Sequence, residues 1–257
     1  MLRTLSAMPA FLKLIWINAG IYLSVILWTL IGVIISPLFY LFFTRILKWK
    51  KPETLRKMIW YYGWTSSKLM SLFVDIKWPK QRKLPPQCII VTNHESFFDP
   101  YLVSFQPQRN ICMAVRNWPF KIPFYGFYMR LAGYINVETD NLDAIIKQAE
   151  SAKNDGATLM FFPEGTRSKD GRLNRFHSGP FHIAMQTGLP VVPLCMNGTH
   201  SMLPRGHMLI RPAKVRGKIL PPIYPEQFEN MHNAHIELRR AVKKTMVACI
   251  QEMNQEV

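Results

Sequence analysis

Acidic residues are scarce in this 257-residue chain. Aspartate and glutamate number 16 against 32 lysines and arginines, so the formal net charge is +16 at pH 7. Such a surplus favours anionic partners, namely phosphorylated substrates, anionic lipid headgroups or nucleic acid. Charge alone does not choose among them, but a hydrophobic content of 49% excludes a disordered chain.

Cysteine is also rare and follows no pattern. The four cysteines stand far apart without a CxxC pair, at Cys88, Cys112, Cys195 and Cys249. This spacing excludes a disulfide framework and indicates reduced core thiols in a cytosol-facing protein. No group of histidine, cysteine and carboxylate has metal-ligand spacing, so neither a metal nor a cofactor is expected.

Charged residues are missing altogether between Leu14 and Thr44. This run is longer than the roughly 20 apolar residues that a bilayer-spanning helix needs. It is also longer than the apolar region of a secretory signal peptide, and no small-residue cleavage site follows it. We therefore predict an N-terminal membrane-embedded helical segment.

Two arrangements of that segment remain open. It spans the bilayer as one helix, or it breaks at Gly32 and Pro37 into two helices that lie in one leaflet. Cations are more numerous after the segment than before it, which places the rest of the chain on the cytoplasmic face. The expected location is thus a membrane, taken to be a bacterial inner membrane.

The chain divides into three parts. Residues 1–50 form the membrane anchor, as a helix or a helical hairpin, and residues 51–87 form an amphipathic helix and a basic, proline-punctuated connector. The helix is expected to extend to Asp75. Residues 88–257 form the globular domain, which ends in an amphipathic helix over Asn233 to Glu252.

Within the globular domain, short apolar runs alternate with helical stretches. The apolar runs read as buried strands and are CIIVT, NICMAV, GYINV, ATLMFF and PVVPLCM. The helical stretches between them are Asp99–Ser104, Asn141–Ala152 and Gly179–Thr187. This alternation predicts an α/β fold with a mixed central sheet flanked by helices.

The first candidate site is TNHESFFDP, Thr92 to Pro100. It begins like a zinc-protease helix, but the fourth residue after His94 is Phe98, so no second histidine completes the ligand pair. Aspartate before proline is typical of a helix start, which makes Asp99 a candidate N-cap. Alternatively, Asp99 folds back onto the His94 imidazole, fixes its tautomer and leaves the other nitrogen to accept a proton from a hydroxyl.

The second candidate site is FFPEGTRS, which leaves the predicted strand ATLMFF. Its glycine permits close approach of a ligand to the backbone, and Arg167 offers a planar fork to a phosphate or carboxyl oxygen. Strand ends of α/β sheets are where ligands usually bind. A surface turn with an exposed ion pair is the alternative reading of the same residues.

In combination, these stretches resemble the glycerolipid acyltransferase family. The first family motif, a histidine and an aspartate separated by four residues, is matched by His94 and Asp99. The third motif, FPEGTRS, is matched letter for letter from Phe162 to Ser168, and the fourth, an apolar run into a proline, by Val191 to Pro193. The resemblance covers roughly Leu84 to Tyr224.

The resemblance implies a membrane-bound O-acyltransferase, with residues 88–257 as its acyltransferase domain. His94 would be the general base and Asp99 its orienting partner. The donor would be acyl-CoA or acyl-carrier protein, and the acceptor a lysophospholipid, first of all 1-acylglycerol-3-phosphate. The implied substrate-binding residues are Arg116, Glu164, Gly165, Thr166, Arg167 and Pro193.

One family feature is missing. The second motif usually ends in an arginine for the acceptor phosphate, and Thr139 takes that place here. The acceptor could therefore be another lipid, such as a lyso-aminolipid or a specialised lipid. A non-catalytic basic membrane-binding protein is the alternative from a different class. An anionic membrane is an expected partner, whereas nucleic acid is not, because a long apolar segment has no use on DNA or RNA.

Overall fold

The computed structural model describes residues 9–78, 84–138 and 141–255. The strands within them are β1 Asp75–Lys77, β2 Ile89–Thr92, β3 Ile111–Val115, β4 Ile135–Asn136, β5 Thr158–Phe161, β6 Val191–Asn197 and β7 Lys214–Ile219. The α-helices are α1 Ala10–Leu41, α2 Lys51–Met70, α3 Asp99–Leu102, α4 Tyr125–Leu131, α5 Leu142–Asn154, α6 Gly179–Thr187, α7 Thr199–Met202 and α8 Ala234–Gln255. Shorter turns of helix lie at Phe42–Ile46, Val103–Phe105, Trp118–Lys121 and Pro225–Phe228.

The described strands form one mixed sheet in the order β1-β7-β6-β2-β5-β3-β4. Neighbouring strands are parallel except β6 and β7, which are antiparallel. The carboxyl ends of β6, β2, β5, β3 and β4 therefore meet at one edge of the sheet. The turns that follow β2 and β5 carry the two candidate sites, so the topology brings them together.

All five strands predicted from apolar runs are confirmed, and the predicted helices at Gly179–Thr187 and near the C-terminus are also present. Strands β1 and β7 were missed. In β7, cations alternate with the inward-facing Val215 and Gly217, so the strand lacks a continuous apolar run. Strand β1 is three residues long, and it occupies Asp75, where a helix end was expected.

The core lies on both faces of the sheet because successive strand residues point to opposite sides. Val91 and Leu159 belong to the cluster that packs against α5, α6 and α8, whereas Ile90 and Met160 belong to the other cluster. This second cluster includes Ile17 of α1, Met70 of α2 and Leu102 of α3. The N-terminal helices thus cover one face of the sheet.

Helix α1 is continuous over its described length. Gly32 and Pro37 lie inside it, so the break that would give two shorter helices is not observed here. At 1.5 Å per residue its 32 residues extend roughly 48 Å, more than the hydrocarbon core of a bilayer. Together with the turn through Ile46, it is long and apolar enough to cross a membrane.

One polar residue attaches α1 to the domain. The Asn18 side chain is nearly buried, donates to the Ile210 carbonyl at 2.9 Å and accepts from the Ile210 N–H at 2.8 Å. The face towards the domain buries Ile17 and Ile21. Many large apolar residues of α1 remain exposed, including Ile26, Leu27, Leu30, Ile34, Leu38 and Phe39. These exposed side chains would contact lipid in a membrane.

Helix α2 packs beside α1, and it ends at Met70, before the predicted limit. Of the predicted basic connector, residues 79–83 lie outside the described residues. Thr139, which stands where the family motif usually has an arginine, also falls outside them.

Candidate active site

The turn after β2 brings His94 and Asp99 into direct contact. His94 Nδ1 lies 2.9 Å from Asp99 Oδ2. The carboxyl of Asp99 is fully buried, and the same oxygen accepts the backbone N–H groups of Glu95 at 2.6 Å and Ser96 at 2.7 Å. An ionised carboxylate only accepts hydrogen bonds, so this arrangement favours the tautomer with the proton on Nδ1.

Asp99 does not cap its own helix in the predicted way. Helix α3 begins at Asp99 itself, and the carboxylate receives N–H groups from the preceding turn instead of from the second or third residue of the helix. Of the two expected roles of Asp99, the contact with His94 is observed and the helix cap is not. The Asp99 carboxylate therefore organises the backbone that carries His94.

The structure also shows what surrounds the face of the imidazole ring and its second nitrogen. The ring stacks on Phe162 with centroids 4.1 Å apart. The His94 side chain is 19% exposed, and its Nε2 has no hydrogen-bond partner among the described residues. A nitrogen that is accessible, unpaired and unprotonated is suited to accept a proton from a bound hydroxyl.

Glu164 connects the two candidate turns. Its Oε1 accepts the backbone N–H of His94 at 2.9 Å, and its Oε2 accepts that of Asn174 at 2.8 Å. Burial raises the pKa of this carboxyl, and the two backbone hydrogen bonds oppose that rise. The expected contact of Glu164 with substrate phosphate does not fit this geometry, because both oxygens are occupied and the side chain is buried.

The rest of the EGTR turn faces outward. Gly165 has a positive φ of +68°, and a Cβ there would lie 3.2 Å from the ring of His177. Thr166 is exposed and Arg167 is half-buried. Arg167 accepts a hydrogen bond from Arg205 through its backbone carbonyl, and its guanidinium forms no hydrogen bond or ion pair with a described residue. The Ser168 N–H donates to the His94 carbonyl at 2.7 Å, which brings this turn against the first one.

Two residues of the site were not singled out from the sequence. Asn93 exchanges hydrogen bonds of 2.8 Å with both the N–H and the carbonyl of Met196, and thereby fixes the end of β2 to the end of β6. Glu95 is buried and accepts from Asn93 at 2.9 Å, and also from Thr199 and the His200 N–H. Burial and the neighbouring Asp99 carboxylate raise the pKa of Glu95 to about 8. Polar side chains beside a strand end were the only sequence signal for these roles.

Arg116 lies at the same edge, just past β3, but its charge is engaged. Its Nε donates to Glu138 Oε1 at 2.5 Å, and Glu138 Oε2 accepts the Asn117 N–H at 2.7 Å. The hydrogen bonds from the Asn117 N–H and from Arg116 lower the pKa of Glu138. A phosphate bound by Arg116 would therefore have to compete with an ionised glutamate.

Pro193 does not reach the edge of the sheet. It is buried in the middle of β6 with its Cα paired to that of Val91, and its carbonyl accepts the Leu220 N–H at 2.9 Å. Its predicted role in substrate binding is therefore not supported by its position, and we assign it to the sheet.

The described residues contain no group of three or more histidine, cysteine or carboxylate side chains able to hold a metal ion. The site offers a histidine oriented by a buried carboxylate, next to a turn whose Arg167 guanidinium has no partner among the residues that the structure describes. Such an arrangement can deprotonate a hydroxyl that belongs to an anionic molecule.

The sequence comparisons agree with this geometry. The family model described as Acyltransferase matches residues 75–197. The chloroplastic 1-acyl-sn-glycerol-3-phosphate acyltransferase of Brassica napus is 38% identical over 142 residues, which are 53% of this chain and 41% of that protein. The enzyme of the same name from Saccharomyces cerevisiae is 30% identical over 204 residues, 72% of this chain and 63% of that protein. The chain thus spans about half the length of such curated relatives.

A solved structure extends the similarity to the N-terminal helices. The 1-acyl-sn-glycerophosphate acyltransferase of Thermotoga maritima superposes with a TM-score of 0.67 and 26% identity, over 91% of this chain and 98% of that one. The chain therefore contains an acyltransferase domain and resembles the 1-acyl-sn-glycerol-3-phosphate acyltransferases in both sequence and fold.

Proposed function

We propose that the protein is a membrane-bound 1-acylglycerol-3-phosphate O-acyltransferase, which transfers a fatty acyl group from a thioester to the free hydroxyl of its acceptor. The observation that carries this proposal is the 2.9 Å contact between His94 Nδ1 and the buried Asp99 carboxylate. The relatives named above share the activity in their names, and the matched region contains both residues.

In the proposed reaction, His94 Nε2 takes the proton of the acceptor hydroxyl. The oxygen attacks the thioester carbonyl carbon, a C–O bond forms, and the C–S bond breaks as the tetrahedral intermediate collapses. The leaving thiolate then recovers the proton from the imidazolium. Asp99 stabilises that imidazolium and holds its orientation, so the transfer needs neither an enzyme nucleophile nor a metal.

The acceptor phosphate is assigned to the turn after β5. Gly165 lets the phosphate approach the backbone, and the exposed Thr166 and the guanidinium of Arg167 offer donors to its oxygens. Glu164 does not contact the phosphate in this proposal but positions the base, because its Oε1 accepts the His94 N–H and its Oε2 accepts the Asn174 N–H. The distance between base and phosphate site is then set by buried contacts.

The proposal also assigns each part of the chain a position relative to the membrane. We assign residues 1–50 to anchoring, residues 51–87 to the junction and residues 88–257 to the acyltransferase domain, which faces the cytoplasm. The exposed apolar side chains of α1 and the charge of +16 support this assignment. The carboxyl edge of the sheet would lie close to the headgroups, where a lysolipid presents its hydroxyl.

A panel of acceptors and donors tests the proposal. Purified protein in detergent micelles would receive lysophosphatidate, lysophosphatidylethanolamine or a lyso-aminolipid, each with acyl-CoA and with acyl-carrier protein. We expect lysophosphatidate to give the highest kcat/KM. Turnover of a neutral or zwitterionic acceptor without turnover of lysophosphatidate would establish the alternative acceptor, which the Arg116–Glu138 pair favours because it neutralises a nearby cation. No turnover of any acceptor would favour a non-catalytic membrane-binding protein.

A further inference from the structure

The loop between β6 and β7 is anchored beside the candidate active site. It comprises residues 198–213 and begins at the carboxyl end of β6, the edge of the sheet that also carries the turn after β2. Near its start, the His200 N–H donates to the buried Glu95 carboxyl of that turn at 3.2 Å. Near its end, Ile210 is buried and its backbone is hydrogen-bonded to Asn18 of α1. These contacts determine where the exposed middle of the loop lies.

Arg205 extends from the middle of this loop to the EGTR turn. Its side chain is exposed, and its Nη1 donates to the Arg167 carbonyl at 3.3 Å. Within the part of the chain that the structure describes, this is the only hydrogen bond of the Arg205 side chain, and it forms no ion pair. Most of the N–H donors of its guanidinium are therefore available to a ligand.

Arg205 and Arg167 thus place two guanidinium groups at one turn without a counterion among the described residues. The carboxylate of the same turn, Glu164, is buried, and both its oxygens already accept backbone N–H groups. Like charges at close range repel, and an oxyanion that accepts from both groups offsets the repulsion. A phosphate monoester suits this arrangement, because it carries more charge and more terminal oxygens than a phosphodiester.

The opposite side of the site lacks an available cation for such a phosphate. Thr139 stands where the family motif usually has an arginine, and the Arg116 guanidinium is paired with Glu138. Both follow β3 or β4 in the chain, whereas Arg205 follows β6, which lies on the other side of β5. Arg205 can therefore supply the second cation that Arg167 lacks from the β3–β4 side.

We propose that Arg205 is a second phosphate contact for the acceptor and that, with Arg167, it makes the enzyme select phosphate monoesters over phosphodiesters. The inference rests on the proposed acyltransferase function and names a residue that decides its acceptor class. A phosphodiester acceptor such as lysophosphatidylethanolamine has less charge and fewer terminal oxygens to share between two guanidinium groups. Loss of Arg205 should therefore affect the two acceptor classes unequally.

The test compares lysophosphatidate with its phosphate methyl ester, which keeps the acyl chain and the acceptor hydroxyl but is a singly charged phosphodiester. Arg205→Ala removes the guanidinium, whereas Arg205→Lys keeps the charge without the planar fork. The matched control is Arg211→Ala, which removes another exposed arginine of the same loop. Full-length proteins would be assayed in neutral detergent micelles with a saturating thioester donor, and the KM for that thioester would be measured separately.

We expect Arg205→Ala to raise the KM for lysophosphatidate by about tenfold or more, because hydrogen bonds to a charged phosphate are lost. The KM for the methyl ester should change much less, and the KM for the thioester should stay at the wild-type value. Arg205→Lys should give an intermediate KM for lysophosphatidate, and Arg211→Ala should match the wild type.

Four results would overturn the proposal. Equal rises in the KM for both acceptors would show that Arg205 only supports the turn. Equal effects of Arg205→Ala and Arg211→Ala would assign both cations to general attraction of anionic lipid. A rise confined to the thioester would place Arg205 at the phosphates of that substrate. An unchanged KM for lysophosphatidate would show that Arg205 does not contact the acceptor.

Binding without turnover separates this proposal from the proposed function. The 2-deoxy analogue of lysophosphatidate keeps the phosphate but lacks the acceptor hydroxyl, so calorimetry measures its affinity even for a protein that transfers no acyl group. If no acceptor is turned over, the proposed function fails and calorimetry decides the phosphate contact. Binding of the analogue that Arg205→Ala weakens and Arg211→Ala leaves unchanged supports the contact, and any other result overturns it.

Discussion

At the scale of single residues, the account depends on the buried Asp99 carboxylate. Three donors converge on its Oδ2, namely the His94 ring and the N–H groups of Glu95 and Ser96. The carboxylate therefore sets the backbone of the turn and the imidazole tautomer at once. A substitution that keeps its shape but removes its charge should separate its effect on the backbone of the turn from its effect on the imidazolium.

Asp99→Asn is that substitution. An amide oxygen at the Oδ2 position can still accept the His94 ring N–H and the two backbone N–H groups, but it lacks the negative charge that stabilises the imidazolium formed in the reaction. We expect kcat to fall by about 10²–10⁴-fold with little change in the KM for the acceptor. Steady-state kinetics and a thermal melt check this. A variant that melts like the wild type and also retains its kcat would contradict the role of the Asp99 charge in catalysis.

Glu95 gives a prediction about pH. Its pKa is raised from 4.5 to about 8, so between these values the folded protein keeps a proton that the unfolded chain has lost. The stability from this group is fully present below pH ~4.5 and declines as pH rises towards ~8, at up to about 1.4 kcal/mol per unit. Glu95→Gln should flatten that decline in melting temperature.

The exposed Glu229 provides the matched control for this pH series. Glu229→Gln should leave the pH dependence of the melting temperature as it is in the wild type. If Glu95→Gln and Glu229→Gln show the same slope between pH 5 and 8, the protonation assigned to Glu95 is wrong.

At the scale of elements, the EGTR turn depends on a left-handed glycine packed against a ring. Gly165 and Gly188 have φ values of +68° and +66°, but only at Gly165 would a Cβ meet other atoms, the ring of His177 at 3.2 Å. Gly188→Ala should cost about 1–2 kcal/mol of unfolding free energy from backbone conformation alone.

Gly165→Ala should cost more than Gly188→Ala, because the His177 ring must also move. It should in addition raise the KM for lysophosphatidate several-fold, since Arg167 lies two residues further along the same turn. Denaturant unfolding and acceptor kinetics on both variants measure this. Equal stabilities together with an unchanged KM would show that the turn is not held as the structure indicates.

The sequence predicts the elements whose signal is local. Continuous apolar runs identify β2 and β5, and the motif residues His94 and Asp99 identify the dyad, because both patterns lie within a few residues. Strand β7 is different, since its cations alternate with Val215 and Gly217 and only pairing with β6 makes it a strand. The end of helix α2 could not be placed from the sequence either. Asp75 belongs to strand β1, and the partner of β1 lies about 140 residues away in the chain.

In the active site, too, the roles that depend on contacts between distant residues could not be predicted from the local sequence. The burial of Glu164 and the pairing of Arg116 with Glu138 depend on contacts between residues 70 and 22 positions apart. A sequence pattern assigns such side chains to the substrate because it records their chemical type and not their neighbours. Pro193 likewise belongs to a motif, yet it is buried inside β6.

At the scale of the whole molecule, the protein could attach to a membrane through the apolar side chains of α1 or through its positive net charge. If the apolar face of α1 is embedded, attachment should persist in 1 M salt, where the Debye length is only about 3 Å. Flotation with anionic and neutral vesicles at low and high salt would measure this. Release from anionic vesicles by salt, without binding to neutral ones, would show that charge alone holds the protein.

The contact between α1 and the domain is a second feature at this scale. Asn18→Leu leaves the N–H and the carbonyl of Ile210 without their partner, so we expect a loss of about 1–3 kcal/mol in unfolding free energy. The control is the exposed Asn230, because Asn141 caps α5. Asn230→Leu should leave the unfolding free energy nearly unchanged. Equal stabilities of the two variants would contradict the described contact.

The central claim is that His94 deprotonates the acceptor hydroxyl. Its most direct test is the turnover of lysophosphatidate with a saturating thioester donor by the wild type, His94→Ala and His182→Ala. His182 lies on α6, where it stacks on His235 outside the site, so its variant controls for the loss of an imidazole. We predict that His94→Ala lowers kcat by at least about 10²-fold while vesicle binding is retained, and that His182→Ala stays near the wild type. Near-normal turnover by His94→Ala would contradict the account.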